Sequence, residues 1–544
     1  NPAHPGTKIH RDAAQSRFPI KGFTTIDAIA LINLEGTGML GVPGVASRLF
    51  SALQEVGVSV VLISQASSEH SICAAVPEGQ AETAQLAVEK AFYGEIHRGA
   101  VQAIEVIRGC SILAAVGDQM VQQPGIAGKF FGSLGRAGIN IRAIAQGSSE
   151  RNISAVIDRK DQTRALRAAH SAFTLSDQTL SIGLIGPGLI GTAFLDQLGK
   201  QGGELRTSQK LDLRVRGILN SKAALTTEPR ILLEKWKDSW TEAQSAGKAS
   251  ELDFEKFLST VKPDHLPHAV LIDCTASETI ARRIPEFLAR GFHVITPNKK
   301  ANSGTQAQYE AIRSAAKAAG RHFLYSTNVG AGLPIIQTLR DLLRTGDRII
   351  EIQGVFSGTL SFLFNSLSAN SDAESFSTIV ERARKLGYTE PDPRDDLSGL
   401  DVARKLIILA RETGMKIELN DIQVESLVPA SLARVERDEF LRRLSELDQP
   451  MKVKVDGAAQ DGEVWRFVGR FSPSSPNSAQ VGLQKYPRHH PFAALQGTDN
   501  IVAFRTERYN TQPIFVQGPG AGPEVTAAGV FADLLRLASY LGDG

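Results

Sequence analysis

The chain has 544 residues, 42% of them hydrophobic and 22% charged, and its 60 basic and 58 acidic side chains leave a formal net charge of +2. That length calls for three or more cores, and that balance is typical of a soluble globular protein; it gives no case for a nucleic acid or an anionic membrane as partner. No apolar run approaches the roughly 20 residues that span a bilayer, and the three scattered cysteines, Cys73, Cys110 and Cys274, lack metal-ligand spacing and suit a reducing compartment.

Residues 1–22 read as a linker, and a leader ahead of Asn1 would not be visible. The first third then repeats itself. Pro43 and Pro124, Gly57 and Gly138, Gln65 and Gln146, and Glu69 and Glu150 are each 81 residues apart. A constant offset predicts two copies of one fold, over 23–100 and 101–177. Each copy reads as strand, Pro-Gly turn, amphipathic helix, glycine turn, two strands and a helix. In the first copy the strand is Ala28–Leu34, and the helix Val45–Val56 is stopped by Gly57. The β-branched run Val58–Ile63 follows as a strand. A βαββαβ order of this kind is ferredoxin-like.

Over 178–327, strands at Leu180–Ile185, Leu213–Leu219, Ala269–Asp273 and Gly291–Thr296 alternate with helices, which predicts a doubly wound parallel sheet. Between Lys222 and Lys262 the connection is long enough to form helices of its own. The first strand runs into Gly186-Pro187-Gly188-Leu189-Ile190-Gly191 and then a helix, the setting a dinucleotide fingerprint requires. Gly186 makes the turn, Gly188 lets the backbone approach the pyrophosphate, and Gly191 packs helix on strand. The second strand ends at neutral Asn220, where an NAD site usually carries an acid for the ribose hydroxyl. With Lys222 beside it and Arg216 upstream, the site favours NADPH while admitting NADH. Asp273-Cys274-Thr275-Ala276-Ser277 and Thr296-Pro297-Asn298-Lys299-Lys300 fall at strand C-termini, in the ligand crevice. Cys274 there could serve an acylating aldehyde dehydrogenase as nucleophile. With no histidine beside it in sequence, it reads as a small core residue.

A glycine-rich hinge, Tyr325–Pro334, leads to an α+β region over 328–505. Its most informative stretch is Gly387–Lys405, acidic, stiffened by Pro391 and Pro393, and running straight into an apolar helix. Asp401 and Lys405 sit one turn apart on the same helical face. Carboxylates gathered next to a lysine suit the holding of a zwitterionic amino acid and the movement of a proton. Residues 506–544 close with a helix at Ala527–Leu541 that returns to pack beside the nucleotide domain.

Tyr388 to Lys405 resembles the signature of homoserine dehydrogenases, and the chain as a whole resembles the ACT plus dehydrogenase portion of bifunctional aspartokinase–homoserine dehydrogenases. The fold this implies is α/β, with tandem ferredoxin-like ACT domains, a Rossmann-type nucleotide domain and an α+β substrate and dimerisation domain. Asn1–Ile9 resembles a kinase-domain tail; the kinase body is absent, so no aspartate phosphorylation is expected of these residues. The implied reaction is NAD(P)H-dependent reduction of L-aspartate 4-semialdehyde to L-homoserine. By resemblance, Lys405 is the proton donor and Lys299 lies at the active site against the cofactor. Glu390, Asp396 and Asp401 hold the substrate amino group and orient the lysine. Gly186, Gly188, Leu189, Ile190, Gly191, Asn220, Thr275 and Gly520 line the cofactor. The carbonyls of Val329, Ala331 and Leu333 line a sodium site, with Ser326 where relatives carry a glutamate. Gln65 and Gln146 match glutamines that bind threonine as feedback inhibitor. The resemblance also implies a homodimer or higher assembly, located in the cytoplasm, or in the plastid for a plant or alga. An amino-acid sensor with an inactive dehydrogenase half is the alternative, and the intact pair Lys299 and Lys405 argues against it.

Overall fold

The computed structural model describes residues 19–542 except 66–69, 175–177, 246–250, 264–265, 267 and 370–373. The kinase-like tail Asn1–Ile9 and the repeat position Glu69 therefore lie outside the described residues. Three six-stranded sheets organise the remainder.

The repeat builds the first sheet. Copy one supplies β1 (Gly22–Glu35), β2 (Leu62–Gln65) and β3 (Ser71–Pro77), and copy two supplies β4 (Glu105–Val116), β5 (Ile141–Gln146) and β6 (Asn152–Asp158). Helices Val45–Glu55 and Ile126–Arg136 keep the same offset. The strand order is β2-β3-β1-β4-β6-β5, with β1 and β4 antiparallel at the centre. Each copy thus has three strands of its own, and the fourth strand of its ferredoxin-like order is the first strand of the other copy. The sheet curls until its edges meet: Ser64 Oγ donates to Ile144 O at 2.9 Å. Leu31, Leu62, Ala75, Ile112 and Val156 fill the interior of the curl, while the helices pack on its outer face. The run Val58–Ile63 expected as a strand becomes one only from Leu62; in this edge segment Val61 N still bonds to Ala75 O.

The second sheet comprises β7 (Gln178–Ile185), β8 (Leu211–Leu219), β9 (Ala224–Thr226), β10 (Ala269–Asp273), β11 (His293–Ile295) and β12 (Phe323–Leu324). Its order is β12-β11-β10-β7-β8-β9, parallel except for β9. The chain winds both ways from β7, so the turn after β7 sits at the topological switch point, where such sheets bind ligands. Helices Trp236–Ser245 and Glu251–Val261 fill the long charged connection.

The third sheet contains β13 (Ile349–Val355), β14 (Gln423–Val424), β15 (Glu463–Ser472), β16 (Ser475–Pro487), β17 (Asp499–Thr506) and β18 (Ile514–Pro519), ordered β14-β16-β15-β13-β17-β18. Helix Leu400–Glu412 buries Leu406, Ile407, Ile408 and Leu409 in the same core as Phe467 and Phe471 of β15. Strand β18 corrects the expectation that 506–544 as a whole returns to the nucleotide domain, because it pairs with β17. The return is made by helix Pro523–Leu541, whose Phe531 meets Phe194 edge-on at 6.2 Å.

Candidate active site

Two elements carry the paired lysines. Lys299 caps the N-terminus of the one-turn helix Lys300–Ser303 that follows β11. Lys405 lies in helix Leu400–Glu412, which starts from Gly399. Gly399 has φ 73°, and a Cβ there would sit 2.9 Å from Phe467 Cζ, so the helix start needs glycine on both counts. The two ammonium groups converge on one carboxylate: Lys299 Nζ to Asp401 Oδ1 is 2.6 Å, and Lys405 Nζ to Asp401 Oδ2 is 2.8 Å. Lys405 also donates to Phe356 O at 2.6 Å. An ammonium has three N–H bonds, so these two acceptors leave one for a substrate oxygen.

Burial works against the charge on Asp401, but Lys405 and Lys299 outweigh it and hold the carboxyl well below the usual carboxylate range. Lys405 is 8% exposed, and that burial lowers its pKa, with Lys299 helping and Asp401 opposing. The composite matters chemically, because an ammonium with a depressed pKa gives up its proton more readily.

Asp396 takes Glu390 N at 2.8 Å and Thr359 Oγ1 at 2.9 Å; the Thr359 hydroxyl also lies 2.5 Å from Tyr388 O, with one proton to share. Burial raises the Asp396 pKa despite these bonds. The Glu390 side chain is exposed.

On the nucleotide side, Gly186 has φ 88°, and a Cβ on it would lie 2.7 Å from Thr275 Cγ2, so Thr275 stands directly against the glycine turn. Leu189 and Ile190 open helix Leu189–Ser208, with Leu189 79% exposed at its tip. Asn220 Oδ1 accepts from Lys222 N and Ala223 N, both at 2.8 Å, shaping the β8 loop. Arg216 departs from expectation. It is buried mid-strand and paired with Glu228 at 2.8 Å, so it cannot serve a ribose phosphate, and Lys222 is the exposed cation near Asn220. Cys274 is half-buried and burial raises its thiol pKa, which keeps it protonated and unsuited to nucleophilic attack.

Several contacts behind these residues were not legible in the sequence. Asp273 accepts from Thr275 N, Thr275 Oγ1 and Asn298 Nδ2 at 2.9, 2.6 and 3.1 Å, joining the ends of β10 and β11. Asn500 Nδ2 donates to Phe356 O at 3.0 Å, beside the Lys405 bond. A Cβ on Gly520 would fall 1.9 Å from Asn500 Nδ2, so the late glycine turn abuts the residue that steadies the Lys405 acceptor. Only a polar residue opposite a glycine could have hinted at this, and nothing ties the two in sequence. In the ACT pair, Gln65 and Gln146 are exposed at the ends of β2 and β5, the strands whose edges meet.

A fingerprint turn at a switch point, in a chain that also pairs two ammonium groups on one carboxylate, is the equipment of a nicotinamide-dependent oxidoreductase. Family models match an ACT domain at 32–92 and 113–173, the NAD-binding domain of homoserine dehydrogenase at 186–326, and homoserine dehydrogenase at 334–535. The homoserine dehydrogenase of Emericella nidulans is 42% identical over 373 residues, covering 66% of this chain and 98% of its own length. The chain belongs to the homoserine dehydrogenase family. The chloroplastic bifunctional aspartokinase/homoserine dehydrogenase 1 of Arabidopsis thaliana is 50% identical over 549 residues, covering 100% of this chain; the chain spans 59% of that relative's length. A hyperthermophilic archaeal homoserine dehydrogenase solved with NADPH shares the fold at TM-score 0.51 and 22% identity, over 67% of this chain and 98% of that one.

Proposed function

We propose that this chain interconverts L-aspartate 4-semialdehyde and L-homoserine with NADPH, taking NADH less well, and that threonine restrains it through the ACT pair. The observation that carries the reading is the shared contact of Lys299 and Lys405 with Asp401. Open space around Gly188 and the left-handed turn at Gly186 fit a pyrophosphate lying on the helix N-terminus. A bound nicotinamide would supply the hydride that reaches the aldehyde carbon. The chain supplies the rest. Asp396 and Glu390 take the substrate ammonium, and the free N–H of Lys405 meets the aldehyde oxygen. As negative charge builds on that oxygen Lys405 stabilises it and then transfers its proton, leaving a neutral amine that solvent reprotonates; acid catalysis of this kind gives about 10²–10⁴-fold. Asp401 keeps both lysines aimed and offsets their mutual repulsion. Thr275 packs under the glycine turn on the nicotinamide side, and Asn220 with Lys222 receives the ribose end.

No step of this mechanism needs sodium. Ser326 donates to Asp533 at 2.8 Å and accepts from Arg536 at 3.2 Å, so a neutral hydroxyl beside an Asp533–Arg536 ion pair stands where relatives offer a glutamate. Leu333 O, one of the three expected ligands beside Val329 and Ala331, accepts from Ile335 N at 2.8 Å and keeps its second lone pair. No helix among the described residues is long and apolar enough to cross a membrane. The proposed location is the plastid for a plant or algal source and the cytoplasm otherwise, with the third sheet making the homodimer.

Homoserine-dependent reduction of NADP⁺ and NAD⁺, with and without threonine, tests the reading. Wild-type turnover should favour NADP⁺ and fall with threonine, and Lys405→Ala should lose at least a hundredfold in kcat. Undiminished turnover in that variant removes the proposed proton donor.

A further inference from the structure

Arg411 lies six residues beyond Lys405 on the same helix, roughly 9 Å further along its axis. Its side chain is fully enclosed. All five of its N–H bonds are used. Nη1 donates to Asn302 O and to Gly304 O, both at 2.8 Å. Nε and Nη2 donate to Ile417 O at 3.1 and 2.9 Å, and Nη2 reaches Glu418 Oε2 at 3.2 Å. Asn302 and Gly304 end the short helix that Lys299 begins, and Lys299 O itself accepts from Asn302 N at 3.0 Å and Ser303 N at 2.9 Å. The guanidinium therefore grips the turn that bears one lysine from the helix that bears the other.

Neighbouring bonds brace the same joint. Glu418 Oε1 accepts Gln306 N at 2.8 Å, and Tyr309 Oη donates to Arg411 O at 3.2 Å. Asn302 Nδ2 donates to Asn328 Oδ1 at 2.7 Å, and Asn328 Nδ2 to Thr296 O at 2.8 Å, tying the turn to the end of β11. The next residue, Glu412, pairs with Arg340 at 2.8 Å and bonds to the Tyr325 hydroxyl at the hinge.

We infer that Arg411 is a positioning residue: it fixes the distance between the Lys299 turn and the Lys405 helix, and so the register in which both lysines share Asp401. The inference rests on the site reading proposed above. Only a planar fork with five donors spans carbonyls on two sides at once; a lysine in its place keeps the charge and loses the geometry. Arg411 touches no reacting atom. Its effect is carried by where Lys299 stands relative to Asp401 and Lys405, the ionised groups that face one another there together with Asp396.

Arg411→Lys and Arg411→Met are compared with wild type for kcat, KM for homoserine, NADPH dissociation by fluorescence, and the pH profile of semialdehyde reduction. A displacement of about 1 Å lowers kcat by up to a hundredfold, so a fall of ten- to a hundredfold is expected, with any weakening of NADPH binding several-fold smaller than the fall in kcat. Drawing Lys299 away also removes a nearby positive charge from Lys405, so the alkaline limb of the profile should move to higher pH. Wild-type kcat and an unmoved limb in both variants would overturn the inference; so would a loss of NADPH binding equal to the loss of kcat. If neither variant can be purified, Glu418→Gln loosens the same guanidinium and is judged by the same criteria. Lys405→Met in the same assay separates the two readings. Full activity there sinks the site assignment, whereas inactivity there with normal Arg411 variants sinks the clamp alone.

Discussion

A Cβ added at Gly191 would lie 2.3 Å from Gly186 O, while one added at Gly188 would meet nothing within 4 Å. The first glycine is required by the fold; the second has open space beside it, where the proposed pyrophosphate would lie. Gly191→Ala should lower the melting temperature and NADPH affinity together, because backbone must shift to admit the methyl group. Gly188→Ala should melt as wild type and bind NADPH at least tenfold more weakly, as fluorescence titration against calorimetry would show. Lys405 gives a pH prediction of the same scale. Burial lowers its pKa, so reduction of the aldehyde, which on the proposed mechanism needs the protonated amine, should fail on the alkaline side below the ordinary lysine pKa of about 10.4. Oxidation of the alcohol needs the neutral amine and should rise over the same range, so initial rates in the two directions should cross. Asp401, Lys405 and the fingerprint glycines were legible because their spacing is local. Phe356 O, Asn500 and Arg411 were not, since a backbone acceptor and long-range partners leave no pattern in sequence.

Three histidines stand at the N-terminal ends of parallel strands, opposite the ligand crevice: His268 before β10, His293 opening β11 and His322 before β12. Their rings are 6.0 and 5.5 Å apart in sequence order, and Tyr540 closes the row at 5.4 Å from His322. Burial and then the Arg321 charge push His293 down to about 3 and His268 to about 4. The unfolded chain, with histidines near 6.5, therefore binds more protons between those values, and stability is held above pH 6.5 and lost as pH falls toward 3. For His293, 1% exposed, this amounts to roughly 2 kcal/mol at pH 5. Urea midpoints at pH 7.5 and 5 should differ less in His293→Gln than in wild type; equal differences would refute the assignment. Among elements, the buried strands β7, β8 and β10 were read to within two residues, since continuous apolar runs mark them. The edge strands β2, β9, β14 and β18 were mislocated or missed, because half-exposed strands carry no continuous apolar run and owe their place to a neighbour.

At the scale of the whole molecule, the seam between β2 and β5 joins the two candidate effector glutamines to one structural unit. Gln65→Ala and Gln146→Ala should each raise the threonine concentration for half-inhibition by about two- to tenfold, the worth of one hydrogen bond, with uninhibited turnover unchanged. Inhibition curves that superimpose on wild type would detach threonine from that seam.

The central pairing of β1 with β4 has a consequence for how this chain can be cut and rebuilt. Each repeat is topologically incomplete without the opening segment of its twin, so the pair behaves as two interlocked halves. A fragment ending near residue 100 should be unstructured by circular dichroism, and mixing it with the remainder of the chain should restore order by complementation. Duplication here produced a mutual dependency, in which losing either member would orphan the other.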